Sequence, residues 1–132
     1  MVSMPDNHGY VSLGGDVVCT LGALDVAQTK IAVVNPNVPF TQGDSVVSVN
    51  KFDSFVYDEA LLTYMPSFEP TDVDIAIGKN CASLIDDGAC LQIGVGGLTN
   101  ALAVQLKNHK HLGLHTETFA DGVLELIKNR SY

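Results

Sequence analysis

The sequence predicts an α/β fold in which helices pack on an open sheet built from βαβ units. Short apolar runs that end in Asn, Pro or Gly are typical of buried strands, and residues 30–34 and 89–93 are two such runs. Between these runs lie longer segments whose apolar residues recur at helical spacing. With 46% apolar residues, the 132-residue chain can bury a core and is long enough for one domain or parts of two.

The first part of the chain is predicted to contain one helix and three strands. Asp16 is a candidate N-cap, and Leu21 and Leu24 lie on one helical face, so we expect a helix over residues 16–29. The apolar and β-branched runs that follow predict strands at residues 30–34, 46–49 and 52–57.

A linker is predicted over residues 58–70, where prolines and mixed polarity interrupt both the helical and the strand patterns. Thr71 then has the signature of an N-cap, with Asp74 in the third position of a shortened capping box. The helix that begins there is expected to end at Gly88. Its predicted apolar face carries Val73, Ile77, Cys81, Leu84 and Ile85.

The next segment is predicted to form a βαβ unit. Its parts are a strand at residues 89–93, a glycine-rich turn at 94–97, a helix at 100–108 and a strand at 112–115, with a last helix at 123–129. Strands connected in this way run parallel, so their carboxyl ends meet at one edge of the sheet, where open α/β folds bind ligands. We therefore expect the glycine-rich turn and Glu117 at the same edge.

Neither feature is specific by itself. The turn does not complete the G-x-G-x-x-G dinucleotide pattern because Thr99 occupies the last glycine position, and the Gly-Lys-Ser/Thr of a P-loop is also missing. The glycines can make a tight strand-to-helix turn with no ligand, and Glu117 can be an exposed loop acid. The residues by themselves leave these alternatives open.

Composition argues against several classes of function. A net charge of −8, with only seven Lys and Arg residues, does not suit binding to a nucleic-acid backbone. We see no apolar run of membrane-spanning length and no signal-peptide pattern, so we expect no membrane partner and a cytoplasmic location.

No metal site is predicted. Cys19, Cys81 and Cys90 are isolated, with no C-x-x-C pair, and we interpret them as small buried residues in a reducing compartment. The histidines at 109, 111 and 115 span a helix end, a loop and a strand, which does not suit a ligand set. We expect His115 to pack or hydrogen-bond beside Glu117.

Several motifs together resemble the acetyl-CoA hydrolase/transferase family. They are PDNHGY at residues 5–10, NPNVP at 35–39, the stretch 70–88, QIGVGGL at 92–98, LGLHTE at 112–117 and FADG at 119–122. The resemblance covers essentially the whole chain. It is strongest to the branch that contains 4-hydroxybutyrate and butyrate CoA transferases.

The resemblance implies a covalent role for Glu117. The matching glutamate of the family is the nucleophile that becomes a glutamyl-CoA thioester during ping-pong transfer of CoA from an acyl-CoA to a short-chain carboxylate such as acetate, butyrate or 4-hydroxybutyrate. Coenzyme A is thus a substrate, and no metal takes part. The family's glycine loop contacts coenzyme A, which assigns that contact to Gly94, Val95, Gly96, Gly97 and Leu98.

The resemblance also implies how the chain is organised. Residues 1–57 correspond to the end of an N-terminal CoA-transferase domain, 58–70 to the interdomain linker and 71–132 to the start of the similar, catalytic C-terminal domain. The chain is accordingly expected to be an internal fragment that needs the remainder of its parent chain, is inactive by itself and belongs to a homo-oligomer.

Two alternatives remain on the same scaffold: an acyl-CoA hydrolase, in which water resolves the glutamyl thioester, and a noncatalytic CoA-binding domain. The sequence also departs from the family pattern in two places. Leu98-Thr99-Asn100 replaces a proline-containing turn, and Thr118 replaces the usual Met after the nucleophile.

Overall fold

The computed structural model describes residues 1–64 and 66–128, which belong to two compact units, Met1–Tyr64 and Met65–Tyr132. Both units contain helices and short strands, which confirms the predicted α/β class. Within the described residues, the strands form two-stranded sheets, two in the first unit and one in the second.

The first unit has two strand pairs, one α-helix and a short 3-10 helix at Val49–Lys51. In chain order its elements are β1 (Tyr10–Ser12), α1 (Thr20–Val26), β2 (Ile31–Val34), β3 (Val46–Ser48) and β4 (Ser54–Tyr57). Strand β1 pairs antiparallel with β3, and β2 pairs parallel with β4. A parallel bridge from Val2 to Val34 extends the second pair. The buried core consists of Val2, Val11, Leu13, Leu24, Ala32, Val34 and Val47.

Three of these strands were predicted, and the helix is shorter than expected. Strands β2, β3 and β4 confirm the apolar runs, whereas β1 was not predicted because its partner β3 is remote in sequence. The predicted cap at Asp16 is wrong, since α1 begins at Thr20 and the Thr20 hydroxyl donates to the backbone oxygen of Asp16.

The second unit contains three helices and one strand pair among its described residues. Its elements are α2 (Asp72–Ala82), β5 (Cys90–Leu91), α3 (Gly97–Gln105), β6 (Gly113–Leu114) and α4 (Asp121–Lys128). Strands β5 and β6 are parallel, with Cys90 opposite Gly113 and Leu91 opposite Leu114. This pairing confirms the predicted βαβ unit, although each strand is only two residues long.

The boundary between the two units falls inside the segment 58–70. On the side of the first unit, the fully buried Asn35 donates from Nδ2 to the oxygen of Ala60 at 2.8 Å. On the side of the second unit, the Asn100 amide donates to the oxygen of Phe68 at 3.2 Å. The assignment of this segment as an interdomain linker stays a prediction.

Helix α2 begins with the predicted capping box. The Thr71 hydroxyl accepts from the Asp74 N–H at 3.2 Å, and an Asp74 carboxylate oxygen accepts from the Thr71 N–H at 2.8 Å. These bonds satisfy two of the N–H groups that a helix start leaves unpaired. The backbone N–H of Thr71, followed by its hydroxyl, holds the pKa of Asp74 below its usual value.

The apolar face predicted for α2 is wrong at three of its five positions, Val73, Ile77 and Leu84, which are exposed, whereas Ile85 packs against the core of the second unit. Val73 is 66% exposed and Leu84 is 84% exposed, whereas the buried positions of the helix are Gly78 and Ala82. A Cβ atom on Gly78 would lie 3.0 Å from the carbonyl carbon of Ala101 in α3. The two helices therefore pack through small residues, which large apolar side chains would keep apart.

The predicted ends of several helices also need correction. Helix α2 ends at Ala82, and Gly88, with φ of +82°, lies instead in the turn before β5. Helix α3 begins at Gly97, three residues before the expected start, so the glycine-rich turn supplies its first residue. Helix α4 begins at Asp121 rather than at residue 123, and the expected last residue, 129, lies outside the described residues.

Replacing Gly78 with alanine should destabilise the second unit. Alanine favours a helix over glycine by about 1 kcal/mol, but overpacking against the rigid backbone of α3 costs about 1–3 kcal/mol, so we expect a net loss of up to about 2 kcal/mol. Urea denaturation with amide hydrogen exchange, which reports on each unit separately, measures the effect.

Gly22→Ala in α1 is the matched control, since a Cβ there meets no atom within 4 Å. It should raise the free energy of unfolding by about 0.5–1 kcal/mol. Equal stabilisation by both substitutions would contradict the close α2–α3 contact.

Candidate functional site

The parallel β5–β6 pair brings the glycine-rich turn and the Glu117 segment to one edge of their sheet. Beyond the paired residues, the His115 N–H donates to the oxygen of Leu91 at 2.9 Å, which extends the ladder. Past this bond, the two backbone segments continue side by side as Ile93-Gly94 and Thr116-Glu117. The carboxyl ends of neighbouring parallel strands are where open α/β sheets bind ligands.

Two threonine hydroxyls fasten the Glu117 segment to the backbone of Ile93. The Thr116 hydroxyl accepts from the Ile93 N–H at 3.2 Å and donates to the Ile93 oxygen at 2.7 Å. The Thr118 hydroxyl donates to the same oxygen at 3.1 Å. We call this arrangement of Thr116, Thr118 and the Ile93 backbone the hydroxyl clamp. Because Ile93 is only 2% exposed, its polar backbone atoms need such partners.

Glu117 lies between the two threonines of the hydroxyl clamp and is itself exposed. The hydroxyls of both neighbours bond to the Ile93 backbone and these two threonines are half-buried, whereas Glu117 is exposed. Neither the clamp nor the importance of Thr116 and Thr118 was predicted. A Thr-x-Thr pattern around an acid could have signalled it, but the acceptor 23 positions away in sequence could not be identified before the strands were paired.

The glycine-rich turn has an open part and a packed part. A Cβ added to Gly94 or Gly96 would meet no atom within 4 Å, and the φ of +139° at Gly96 is one that glycine adopts most easily. A Cβ on Gly97 would lie 3.3 Å from both the Asp74 carboxylate and the Glu69 oxygen. Gly94 and Gly96 thus leave space for a close ligand, whereas Gly97 is closely packed.

Polar side chains at the start of α3 fix the turn. The Thr99 hydroxyl donates to the oxygen of Gly96 at 2.8 Å within the first helical turn. The Asn100 side chain, besides its bond to Phe68, accepts from the Gly122 N–H at 3.3 Å. These residues stand where the family pattern has a proline-containing turn, and hydrogen bonds hold the backbone here.

A cleft of about 210 Å³ adjoins the turn. Its lining comes from three segments of the second unit, namely Pro66, Ser67 and Phe68, Val95, Gly96 and Asn100, and Phe119, Ala120 and Asp121. It therefore joins the open part of the glycine-rich turn to the residues that follow Glu117. Gly94, Gly97, Leu98 and Glu117 are not among its lining residues.

Within residues 1–64 and 66–128, no three His, Cys, Asp or Glu side chains gather in a group suited to a metal ion. His109 donates from Nε2 to the backbone oxygen of Ile85 at 2.9 Å, and the His115 side chain is exposed. The expectation that all three cysteines are buried is wrong, because Cys19 and Cys90 are exposed.

The helices in the described ranges are too short, or too polar, to cross a lipid bilayer.

Comparison with known proteins settles the family. Residues 1–66, half of the 132-residue chain, match the family described as acetyl-CoA hydrolase/transferase N-terminal domain. The chain belongs to the acetyl-CoA hydrolase/transferase family. The resemblance seen in the sequence motifs is thereby confirmed.

Curated relatives of this family member are named CoA transferases. The chain is 46% identical to 4-hydroxybutyrate coenzyme A transferase of Clostridium kluyveri, over 96% of the chain and 30% of the relative. It is 33% identical to butyryl-CoA:acetate CoA-transferase of Anaerostipes caccae, with the same two coverages. The chain thus spans about 30% of the length of these relatives.

Solved structures of similar sequence agree with this family assignment. The crystal structure of 4-hydroxybutyrate CoA-transferase from Porphyromonas gingivalis gives a TM-score of 0.90 at 37% identity, covering 96% of this chain and 32% of that one. RipA from Yersinia pestis gives a TM-score of 0.91 at 35% identity, covering 97% and 30%. The α/β fold of the chain is therefore that of CoA-transferase structures.

Thr116→Val should loosen the sheet edge. The substitution keeps the side-chain shape but leaves the buried Ile93 N–H without its acceptor, which costs about 1–3 kcal/mol. For Thr116→Val we expect faster amide hydrogen exchange at Ile93 and a lower free energy of unfolding of the second unit. Thr116→Ser keeps the hydroxyl and should show the exchange rate and stability of the wild type. Unchanged exchange at Ile93 in the valine variant would count against the hydroxyl clamp.

Proposed function

We propose that this chain supplies the nucleophile and part of the coenzyme A site of an enzyme that transfers CoA from an acyl-CoA to a short-chain carboxylate of the acetate, butyrate or 4-hydroxybutyrate type. The observation that carries the proposal is the position of Glu117. It is exposed, held between two anchored residues, and set on the same sheet edge as an open glycine-rich turn. The names of the curated relatives support the reaction class.

In the proposed reaction, a Glu117 carboxylate oxygen attacks the thioester carbon of the acyl-CoA. The C–S bond breaks, CoA leaves as the thiolate, and a mixed anhydride between the acyl group and Glu117 remains. The thiolate then attacks the Glu117 carbonyl carbon and expels the first carboxylate, which leaves a glutamyl-CoA thioester. An acceptor carboxylate enters by the reverse of these steps, so charge and atoms balance.

Surroundings that exclude water would serve this chemistry. A hydrated carboxylate is a weak nucleophile, and a thioester on Glu117 is open to hydrolysis wherever water reaches it. Glu117 is exposed in its unit. We therefore propose that the substrate and the part of the parent protein that corresponds to the remaining length of the relatives cover the site and supply oxyanion donors.

Coenzyme A is proposed to approach the turn formed by Gly94, Val95, Gly96, Gly97 and Leu98. The absence of any atom near an added Cβ at Gly94 and Gly96 leaves room for a ligand against the backbone at these positions. Val95 and Leu98 are 55% and 40% exposed and offer apolar surface to the uncharged part of the cofactor. Gly97 contributes by packing rather than by an open face.

The same proposal includes the organisation implied by the resemblance. Residues 1–57 belong to the N-terminal domain, 58–70 to the linker and 71–132 to the catalytic domain of a homo-oligomeric, cytoplasmic enzyme that uses no metal. The experiment below distinguishes a transferase from a hydrolase on the same scaffold, because a hydrolase would release free CoA thiol without an acceptor.

Glu117→Gln in the full-length protein should abolish exchange of CoA between acetate and acyl-CoA, by about 1000-fold or more, because an amide is not a nucleophile of this kind. The exchange of label from acetate into acyl-CoA and the release of free thiol are measured in parallel. Hydroxylamine should convert the Glu117 thioester of the wild-type protein to a hydroxamate that peptide mass spectrometry locates.

Glu125→Gln is the matched control. Glu125 lies on α4 of the same unit, is exposed and pairs with Lys128 at 3.0 Å, and a neutral amide there should leave exchange unchanged. Full exchange activity in Glu117→Gln would show that another group is the nucleophile. Thiol release that is independent of acetate would favour the hydrolase.

A further inference from the structure

Thr118 has a hydrogen bond that strand pairing does not require. Thr116 already satisfies both backbone groups of Ile93, since its hydroxyl accepts from the N–H and donates to the oxygen. The Thr118 hydroxyl is a second donor to that oxygen, at 3.1 Å. A carbonyl oxygen has two lone pairs and can accept both bonds, but the pairing at Ile93 is complete without the second one.

The second bond does, however, close a ring. With Thr116 fastened and residue 118 free, the backbone at Glu117 could rotate about its own dihedral angles. With Thr118 also fastened to the Ile93 oxygen, the three residues form a closed loop whose two ends meet at one atom. The two bonds to the Ile93 oxygen then restrict the backbone dihedral angles of Glu117.

We propose that Thr118 is a positioning residue for Glu117 and that its hydroxyl fixes the nucleophile for both attacks of the transfer reaction. The proposal rests on the proposed function of Glu117. Thr118 would touch neither substrate nor coenzyme A in this role, and would act through the Ile93 oxygen and the backbone of Glu117.

The chemistry makes such positioning useful because Glu117 has two different tasks. Its oxygen must reach the acyl carbon, and afterwards its own carbonyl carbon must be reached by the thiolate. Each attack needs reacting atoms about 3–3.5 Å apart, and a displacement of about 1 Å can cost about 100-fold in rate. An ordered backbone serves both steps, whereas a mobile one also leaves the thioester accessible to water.

Thr118→Val in the full-length protein tests the proposal, because valine keeps the shape and removes the hydroxyl. We expect kcat for CoA exchange to fall about tenfold with KM for acyl-CoA unchanged within about twofold, and the ratio of thiol release to transfer to rise. Thr118→Ser, which retains the donor, should recover most of kcat. Amide exchange at Ile93 should stay slow in both variants, since Thr116 still holds that N–H.

Thr20→Val is the matched control. Thr20 is half-buried like Thr118, and its hydroxyl donates to one backbone oxygen, that of Asp16, at the same 3.1 Å. The loss of a single hydroxyl-to-carbonyl bond in the first unit should leave kcat unchanged. If Thr20→Val lowers kcat as much as Thr118→Val, the effect is one of general stability and the positioning role is wrong.

The outcomes separate this proposal from the one on which it rests. Wild-type kcat in Thr118→Val, together with an inactive Glu117→Gln, would overturn the role of Thr118 and leave that of Glu117 intact. Equal losses in Thr118→Val and Thr118→Ser would also overturn it, because the hydroxyl would not be the cause. An active Glu117→Gln would overturn both.

Discussion

The hydrogen bonds that converge on the backbone of Ile93 determine the candidate site. Ile93 is buried and directly precedes the glycine-rich turn, so the hydroxyls that satisfy it also tie the turn to the Glu117 segment. An unpaired backbone group in this position would cost about 1–3 kcal/mol, which makes the arrangement hard to lose. The backbone of the Glu117 segment is thereby held at the same sheet edge as the glycine-rich turn.

This arrangement depends in turn on close packing of the helices around a very short strand pair. Two-residue strands are not stable by themselves, and β5 and β6 need support from the rest of their unit. Small residues allow that support. Gly78 lets α2 approach the backbone of α3, and a Cβ on Gly122 would lie 2.7 Å from the Cβ of Ala103. The Asn100 side chain in α3 adds one hydrogen bond, accepted from the Gly122 N–H at the start of α4.

Local patterns predicted the parts of the fold that depend on local interactions. The Thr71 capping box joins residues three apart, and the βαβ connection follows from element order, so both were predictable. The buried face of α2 was not, because apolar periodicity selects large residues and the real contact is made by Gly78 and Ala82. Strand β1 was missed because it is defined by a remote partner.

The features of the candidate site also differ in whether the sequence predicts them. The order of elements predicts that Glu117 and the glycine-rich turn share one sheet edge, and the role proposed for Glu117 as nucleophile comes from the family resemblance. The hydroxyl clamp could not, because the bonds of Thr116 and Thr118 to Ile93 require the strand register. The sequence also does not predict that Gly94 is open and Gly97 closely packed, because the space around each glycine depends on atoms of other segments.

Transfer of oxygen from the acceptor to Glu117 is the most direct measure of covalent catalysis. If an acceptor carboxylate attacks a glutamyl-CoA thioester, its attacking oxygen bridges the mixed anhydride and leaves with Glu117 when CoA attacks the acyl carbon. Acetate labelled with ¹⁸O, incubated with the full-length protein and acyl-CoA, should therefore place ¹⁸O in the Glu117 carboxylate, detected in the peptide that contains it. Rapid CoA exchange with no ¹⁸O at Glu117 would contradict a covalent role for this residue.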